Sequence, residues 1–375
     1  MKRIWKEINL SNLQYNLNMV KNFAKNKSII CMVKDNAYGH DAKEVSLFLE
    51  KDERVTAFAV ASAEEAMSLV GIGIKKDIII ISHICEEDYE TAIKNDIIIT
   101  ISTVDQALKI NEKAKKLNQI ARVQIAIDTG MNRIGFKPSD EAVKDIIYIS
   151  KLPNIKIHGV YSHFAVADSD VSSTEDDEYT NLQETSFDKV INALSKNGIN
   201  NIDTSISNSA GILSGKGLKY TSVRPGIILY GILPSERFNN VKLKPVLVLK
   251  SRIVHLHRIT KGTSVSYGRT FISDKDMLIA TISCGYGDGY PRSASNRTQV
   301  IVNDRRCSII GKISMDAMMV DVSNVDCKIN DEVILIGKSE TEEITLKELC
   351  DRTGEFTYEI LTRINTRAKS IFKYK

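Results

Sequence analysis

The chain has 375 residues, of which 43% are hydrophobic and 26% are charged, so it is long enough for a large core and for two domains. Its 51 Lys and Arg residues against 47 Asp and Glu residues give a formal charge of +4, and no arginine-rich stripe indicates a nucleic-acid partner. The first residues lack the apolar stretch of a secretory signal, and no apolar run approaches the roughly 18 residues of a membrane span. We therefore expect a cytoplasmic protein that binds neither nucleic acid nor membrane.

The cysteines favour a reducing compartment. All six are scattered, mostly inside apolar runs and without CxxC spacing, at Cys31, Cys85, Cys284, Cys307, Cys327 and Cys350. This pattern is typical of buried thiols and not of disulfides or zinc sites, so we expect no bound metal.

From about residue 28 to residue 232, short apolar runs alternate with longer segments of helical periodicity. Eight such runs can be counted, at 30–34, 57–62, 78–82, 97–102, 122–128, 156–164, 201–207 and 222–231. Buried strands that alternate with helices predict a parallel sheet, and eight units favour a closed barrel over an open sheet. The first part of the chain therefore predicts an α/β fold of the (β/α)8 TIM-barrel type.

After Leu233-Pro234 the pattern changes to closely spaced strands with few helical stretches, such as MLIATISCGY, TQVIVNDRRCSIIGKI and DEVILIG. Helical periodicity returns only at TLKELCDRTG. This part predicts an all-β domain. We place the barrel domain at residues 1–235 and the C-terminal β domain at residues 236–375.

The most informative residue is Lys34, at the end of the first predicted barrel strand in SIICMVKDNAYGH. The carboxyl ends of barrel strands are where such enzymes keep their catalytic groups. Taken alone, a lysine in this position is usually a solvated surface group.

The segment VKDNAYGH resembles the part of alanine racemases that carries a lysine bound to pyridoxal 5'-phosphate (PLP) as a Schiff base. Further segments match that family in the family's order over almost the whole chain, among them GVYSHFA, SNSAG, VRPGI and SVSYGRTF. Each segment is weak alone, and together they are specific. The resemblance implies a PLP-binding barrel, a C-terminal β domain, and an enzyme that interconverts L- and D-alanine.

The resemblance also implies which residues bind the cofactor. Lys34 would hold PLP covalently, and Arg224 would face its pyridine nitrogen. A guanidinium does not give up its proton, so that nitrogen would stay unprotonated and the cofactor would be a weaker electron sink. Hydroxyls and backbone N–H groups after the seventh and eighth strands suit a phosphate. The implied cofactor-binding residues besides Lys34 and Arg224 are Tyr38, Asn208, Ser209, Gly226, Ile227 and Tyr358.

Racemisation needs a proton removed from one face of the α-carbon and returned on the other, so two bases are the natural solution. The resemblance implies Lys34 as one base and Tyr267, from the partner subunit, as the other. His163 in GVYSHFA would relay charge between Arg224 and that tyrosine. The implied partner is therefore a second copy of this chain in a head-to-tail homodimer with shared sites.

Other matching segments imply the substrate site. Arg133 in DTGMNRIG would clamp the amino-acid carboxylate, helped by the backbone N–H of Met315 in GKISMDAM. Tyr286 in CGYGDGYPR and Tyr358 in EFTYEI would narrow the access to the site and favour small side chains. Asp316 lies in the same matching segment as Met315.

Two positions depart from the family. Many members carry a carbamylated lysine two residues before the DTGM aspartate, where its charge holds the substrate-binding arginine, and this chain has Ala126 there. We hypothesise that a bound anion such as chloride, or a rearranged hydrogen-bond network, supports Arg133 instead. Ser314 replaces a cysteine of many relatives and is expected to matter little for proton transfer.

Several alternatives stay open at this point. A serine racemase or one of broad specificity uses the same chemistry, and the Ala126 change lies behind the carboxylate clamp. A noncatalytic PLP-binding barrel resembles the first domain, but the SVSYGRTF segment and the second domain argue against it. A PLP decarboxylase with a related barrel, or a binding protein without a cofactor, fits the order of motifs less well.

Overall fold

The structure, a computed structural model, describes residues 2–169, 174–364 and 367–374. It divides into two compact units. The barrel unit comprises Leu13–Ala37 and Ala42–Lys244, and the sheet unit comprises Met1–Asn12, Tyr38–Asp41 and Pro245–Lys375. Within the described ranges, no helix combines the length and the apolar character that crossing a membrane requires.

The chain begins with strand β1 (Ile4–Asn9) and helix α1 (Leu10–Ala24). Eight parallel strands follow in the barrel unit: β2 (Ser28–Met32), β3 (Val55–Val60), β4 (Asp77–Ile80), β5 (Ile98–Ile101), β6 (Ala121–Ala126), β7 (Ile155–Tyr161), β8 (Asp203–Ser205) and β9 (Ser222–Val223). They pair in the order β8-β7-β6-β5-β4-β3-β2-β9. Just beyond β9, Arg224 N donates to Ser207 O beyond β8 at 2.9 Å, which links the two edge strands. The predicted barrel is confirmed.

Helices connect these strands and begin, where capped, at polar residues. The helices are α2 (Lys34–Tyr38), α3 (Ala42–Leu49), α4 (Ala63–Gly71), α5 (Tyr89–Lys94), α6 (Val104–Lys116), α7 (Asp140–Ser150), α8 (Thr174–Lys196) and α9 (Ser209–Ser214). The side chains of Ser62, Thr103 and Ser139 each accept a hydrogen bond from the backbone N–H three residues later. Such caps satisfy N–H groups that have no partner inside the helix.

The eighth predicted run is a strand only at its beginning. β9 ends at Val223, and the apolar residues Ile227–Tyr230 form a buried 3₁₀ turn. Pro225 has no N–H to give to a sheet, and Gly226 takes the unusual backbone angles φ −119° and ψ −98°. A short buried apolar run does not by itself distinguish a strand from a turn.

The sheet unit continues with β10 (Leu247–Ile259), β11 (Ser264–Val265), β12 (Phe271–Ile272), β13 (Met277–Ile282), β14 (Gln299–Val302), β15 (Arg305–Ile310), β16 (Met318–Asp321), β17 (Glu332–Lys338), β18 (Glu343–Ile344), helices α10 (Leu346–Thr353) and α11 (Thr357–Arg363), and β19 (Lys369–Lys373). Nine of the described strands form one sheet in the order β18-β17-β14-β15-β16-β13-β10-β1-β19. Its pairs are antiparallel apart from β1 with β19. A second domain built mainly of strands is therefore confirmed, with α10 at the segment TLKELCDRTG where helical periodicity returns, and with α11 in addition.

The amino-terminal strand belongs to this second sheet. β1 pairs with β10 on one side and with β19 on the other, and Ile4, Trp5 and Ile8 are buried. The predicted division at residues 235 and 236 rests on a change of pattern late in the chain, which carries no information about a strand at its beginning. The two predicted domain ranges remain a proposal.

Candidate active site

Lys34 follows β2 directly and begins a turn of left-handed helix. The next three residues, Asp35, Asn36 and Ala37, have φ between 51° and 56° and ψ near 48°. Tyr38 also has a positive φ, at 52°. L-residues adopt this conformation at a cost of about 1–2 kcal/mol each, so neighbouring groups must hold the turn in place.

Three hydrogen bonds in the barrel unit hold this left-handed turn. Asp35 N donates to Glu65 Oε1 at 2.5 Å, and Ala37 N donates to Val33 O at 2.8 Å. Asn36 Oδ1 accepts from Ala42 N at 2.7 Å. Glu65 lies in the first turn of α4 and also accepts from Ala61 N at 2.8 Å, so one carboxylate joins the ends of β2 and β3. The half-buried Lys34 thus leaves the barrel from a fixed backbone.

Arg224 is 2% exposed and has no carboxylate within ion-pair distance in the described part of the chain. Its guanidinium donates to Ser205 Oγ and to Ser162 O, each at 2.5 Å. The Tyr161 ring centroid lies 5.1 Å from its Cζ, a cation–π distance. Burial lowers the pKa of Arg224 to about 10, so the group stays charged at neutral pH. A positive charge is therefore held inside the barrel with no direct ion pair to any carboxylate among the residues that the structure describes.

His163, two residues after β7, lies beside this arginine. Its Nδ1 is 3.3 Å from Arg224 Nη2. Desolvation, with the positive charges of Arg224, Arg133 and Lys34, lowers the pKa of His163 to about 3. An arginine can only donate, so Nδ1 of the neutral ring accepts from it, and Nε2 lies 3.4 Å from Asn208 Nδ2.

The segments after β8 and β9 meet at a group of hydrogen-bond donors. Asn208 caps α9 by accepting from Gly211 N at 2.9 Å, and Ser209 is the first residue of that helix. Ser209 Oγ accepts from Gly226 N at 2.9 Å, which leaves the hydroxyl proton to donate. Ile227 begins the 3₁₀ turn that follows Gly226. The structure therefore brings together these four residues that the sequence predicted for the cofactor phosphate.

Arg133 lies in the loop after β6 and is exposed. Its guanidinium has no ion pair with any residue that the structure describes. Ala126, the last residue of β6, is buried and in register with Tyr161 of β7, so the two side chains share one face of the sheet. The hypothesis of an anion or a substitute network beside Arg133 stays a prediction.

In the sheet unit, two predicted site residues pack their rings together. The centroids of Tyr38 and Tyr358 are 6.0 Å apart, and Tyr358 also stacks on Phe356 at 4.9 Å. Gly39, next to Tyr38, has φ 81°, and a Cβ there would collide with the Leu361 carbonyl. Glycine is therefore required where the turn after Tyr38 passes this helix.

The segments CGYGDGY and KISMDAM form one structure in the sheet unit. Tyr286 N donates to Ser314 O at 3.1 Å, and Gly287 N donates to Met315 O at 2.8 Å. The adjacent Asp316 pairs with Arg367 at 2.6 Å. Tyr286 and Met315 are both partly exposed, so the structure brings these two predicted residues to one patch of surface.

Tyr267 is 70% exposed. It lies between Ser266, with φ 64°, and Gly268, with φ 71°, and Ser266 Oγ donates to Lys312 O at 2.5 Å. The backbone is thus held while the ring projects from the surface.

Several polar residues at the barrel site have no role implied by the family resemblance. Ser205 and the Ser162 carbonyl hold Arg224, Glu65 holds the turn after Lys34, and Gln183 contacts the loop that carries His163. Ser162 stands beside His163 in GVYSHFA, which could have drawn attention to it. Gln183 and Glu65 lie on helices far from any motif, and no sequence signal marks them.

These residues fit PLP. A pyridine nitrogen needs a donor in a dry environment, and Arg224 is a buried donor that forms no ion pair within the described ranges. A phosphate ester needs hydroxyl and backbone donors, which the Ser209 hydroxyl and the start of the 3₁₀ turn at Ile227 supply, while Asn208 and Gly226 hold these two segments in place. Lys34 supplies an amine at the same strand ends.

A barrel of eight parallel strands with a lysine, a buried arginine and phosphate donors at its strand ends is typical of PLP-dependent enzymes. Comparison with known proteins identifies the family. The model for "Alanine racemase, N-terminal domain" matches residues 8–234, and that for "Alanine racemase, C-terminal domain" matches residues 246–372. The alanine racemase of Clostridium tetani is 40% identical over 376 residues, covering 99% of this chain and 96% of the relative. That of Halothermothrix orenii is 39% identical over 374 residues, covering 99% and 97%.

Solved structures of alanine racemases share the fold of this chain. The alanine racemase of Clostridium difficile 630 matches with a TM-score of 0.93 and 36% identity, covering 99% of this chain and 96% of that chain. The alanine racemase of Bartonella henselae, solved with covalently bound pyridoxal phosphate, matches with a TM-score of 0.86 and 27% identity, covering 100% of both chains. The chain belongs to the alanine racemase family, whose members are PLP-dependent isomerases.

Proposed function

We propose that this protein interconverts L- and D-alanine with PLP as its cofactor. The observation that carries the proposal is the environment of Arg224, which is buried, unneutralised by any described carboxylate, and bonded to a neutral His163. Lys34 follows β2 directly and is half-buried at the end of that barrel strand. Membership of the family gives the reaction that such a site performs.

Arg224 would donate to the pyridine nitrogen, while Tyr38, Asn208, Ser209, Gly226, Ile227 and Tyr358 would hold the rest of the cofactor. When bound, PLP supplies the electron sink that makes the α-proton of an amino acid removable. Because Arg224 keeps its proton at neutral pH, it can only donate to that nitrogen and cannot protonate it fully.

We propose two bases. Lys34 would bind the cofactor covalently and move a proton on one face of the substrate's α-carbon. Tyr267 of the partner subunit would move a proton on the opposite face, and its exposed ring is available for contact with a second chain. His163 would fix the orientation of Arg224 and link it to the tyrosine by hydrogen bonding, as a neutral ring.

Substrate selection would depend on three residues and on the missing charge at Ala126. Arg133 would bind the substrate carboxylate with its planar fork, assisted by the N–H of Met315, and Tyr286 would limit the size of the side chain. The exposure of Arg133, Met315 and Tyr286 supports a role in binding a ligand from solution.

We further infer a head-to-tail homodimer with two shared sites, a cytoplasmic location, and D-alanine supplied for a cell wall. The burial of four cysteines, Cys31, Cys284, Cys307 and Cys350, as free thiols supports the location. The domain ranges 1–235 and 236–375 accompany this proposal, with the cofactor held mainly by the first and Tyr267 supplied by the second.

The substrate is tested by incubating the PLP-loaded protein with L-alanine, L-serine and L-lysine and separating the product enantiomers by chiral chromatography. We expect D-alanine to form with the highest kcat/KM of the three products. A preference for serine or lysine would contradict alanine as the substrate, and decarboxylation products would contradict racemisation. A PLP absorbance band without any turnover would favour a noncatalytic cofactor-binding protein.

A further inference from the structure

The loop after β6, which carries Arg133, is braced by groups other than the absent charge at Ala126. Asp128 Oδ1 accepts from Asn132 N at 2.8 Å, and Asp128 Oδ2 pairs with Lys137 at 2.7 Å. These bonds fix the two ends of the loop around Arg133. They do not fix the loop to the rest of the barrel, which requires contacts from other elements.

Helix α8 supplies such contacts through two residues one helical turn apart. Tyr179 donates its hydroxyl to Gly130 O at 2.9 Å. Gln183, four residues later on the same face of the helix, donates from Nε2 to Thr129 Oγ1 at 3.3 Å. The loop is therefore attached to α8 at two consecutive residues.

Gln183 also holds the loop after β7. Its Nε2 donates to His163 O at 2.9 Å, and its Oε1 accepts from Ala165 N at 2.9 Å. Gln183 is fully buried, at 0% exposure, so water cannot take over these hydrogen bonds when they are lost. One amide thus joins the Arg133 loop to the His163 loop.

A second link makes the two loops one unit with Arg224. Thr129 Oγ1 and Ser162 Oγ are 2.7 Å apart, and the Ser162 carbonyl accepts from Arg224. A shift of Thr129 would therefore displace both the Arg133 loop and Ser162, whose carbonyl Arg224 contacts.

We propose that Gln183 is a positioning residue that holds the Arg133 loop against the His163 loop and thereby sets the affinity for the substrate carboxylate. This inference rests on the proposed function, in which Arg133 binds that carboxylate. It also assigns the substitute network expected beside Ala126: the support acts on Thr129 and Gly130 of the loop and not on the guanidinium.

The chain offers a matched control in Gln106 of α6. This glutamine is also buried, accepts from Ser102 N at 3.0 Å and donates to Thr100 O at 3.1 Å. It has the same bonding pattern at the end of β5, where no proposed site residue lies. Gln106→Leu therefore reports the cost of losing a buried amide as such.

The test compares Gln183→Leu with Gln106→Leu in the PLP-loaded protein. We expect Gln183→Leu to raise KM for L-alanine about tenfold and to change kcat by less than about threefold, because the lost interaction is made equally before and during reaction. Gln106→Leu should leave both constants within about twofold of wild type. Equal KM values in the two variants would overturn the proposal.

Hydrogen exchange measured by mass spectrometry gives a readout that does not depend on turnover. We expect faster exchange at residues 128–137 and 162–167 in Gln183→Leu, and wild-type exchange there in Gln106→Leu. Unchanged exchange at residues 128–137 in Gln183→Leu would overturn the positioning role. If the wild-type protein does not racemise alanine, the proposed function fails, and this exchange result still decides the positioning role.

A second pair of variants covers failure of Gln183→Leu to fold. Thr129→Val removes the hydroxyl that Gln183 and Ser162 contact, whereas Thr129→Ser keeps it. We expect the valine variant to reproduce the raised KM and the faster exchange, and the serine variant to restore both. The same KM and exchange in both variants would overturn the proposal.

Discussion

His163 is a neutral ring held among cations. Desolvation and the charges of Arg224, Arg133 and Lys34 put its pKa near 3, far below the ordinary value of 6.5. The ring can therefore accept from Arg224 on Nδ1 across the whole physiological range. Any relay between Arg224 and Tyr267 would have to pass through hydrogen bonds of a neutral imidazole and not through an imidazolium.

The first prediction concerns this titration. In the purified protein, nitrogen-15 NMR of histidine should show His163 as a neutral ring from pH 8 down to about pH 4. Because the folded pKa lies below the unfolded value, the unfolded chain takes up this proton first. The stability contribution of His163 is thus fully present above pH 6.5 and is lost as the pH falls toward 3. A midpoint near 6.5 for His163 would contradict the described environment.

At the scale of single residues, the sequence predicts the site residues that lie in the family's motifs and few of the residues that hold them in place. Lys34, Arg224 and His163 stand in segments whose resemblance assigns them a role. Gln183 and Glu65 do not, because a polar residue on a helix is ordinarily solvent-exposed. Whether such a side chain is buried between two loops depends on the tertiary fold, which sequence periodicity does not report.

The element that most affects Lys34 is the left-handed turn after β2. Residues 35–38 all have positive φ, although none is glycine. Glu65, Val33 and Asn36 hold the turn by hydrogen bonds. We infer that the strained backbone is retained because it fixes the direction in which Lys34 leaves the barrel.

The second prediction tests this backbone at Asp35, which is exposed and has φ 51°. Asp35→Val places a β-branched residue in the left-handed region and should lower the free energy of unfolding by about 1–2 kcal/mol. Asp35→Gly suits that region and should change it by less than about 1 kcal/mol. Urea unfolding measures both. Equal destabilisation by the two variants would contradict the left-handed conformation at this position.

Among the elements, the barrel strands were the most predictable. Parallel strands are buried on both faces and read as continuous apolar runs, which is why all eight were found. The strand predicted within residues 222–231 is too long, because Pro225 and Gly226 turn the chain into a buried 3₁₀ segment. β1 was missed because its partners, β10 and β19, lie far along the sequence.

At the scale of the whole molecule, the proposed mechanism needs two chains. Tyr267 is exposed, and the proposal has it act in the site of the partner subunit. A head-to-tail dimer with this arrangement contains two equivalent sites, each built from both chains.

The third prediction tests shared sites by complementation. Lys34→Ala and Tyr267→Ala chains, each inactive alone, are co-expressed with different tags, and the mixed dimer is isolated. One of its two sites then contains both wild-type residues, so it should recover about half of the wild-type activity. If Lys34 and Tyr267 of one chain served the same site, both sites of the mixed dimer would be damaged. An inactive mixed dimer, or the absence of any dimer, would contradict the shared arrangement.

The central claim, a pair of bases formed by Lys34 and Tyr267, is tested most directly by α-proton exchange in deuterium oxide. Each alanine enantiomer is incubated separately with PLP-loaded protein, and proton NMR follows loss of the α-proton signal. We predict that Lys34→Ala abolishes exchange of both enantiomers, because cofactor attachment and one base are lost together. Tyr267→Phe should impair exchange mainly for one enantiomer, because only one face loses its base. Equal loss for both enantiomers in Tyr267→Phe, or sustained exchange in Lys34→Ala, would contradict the two-base account.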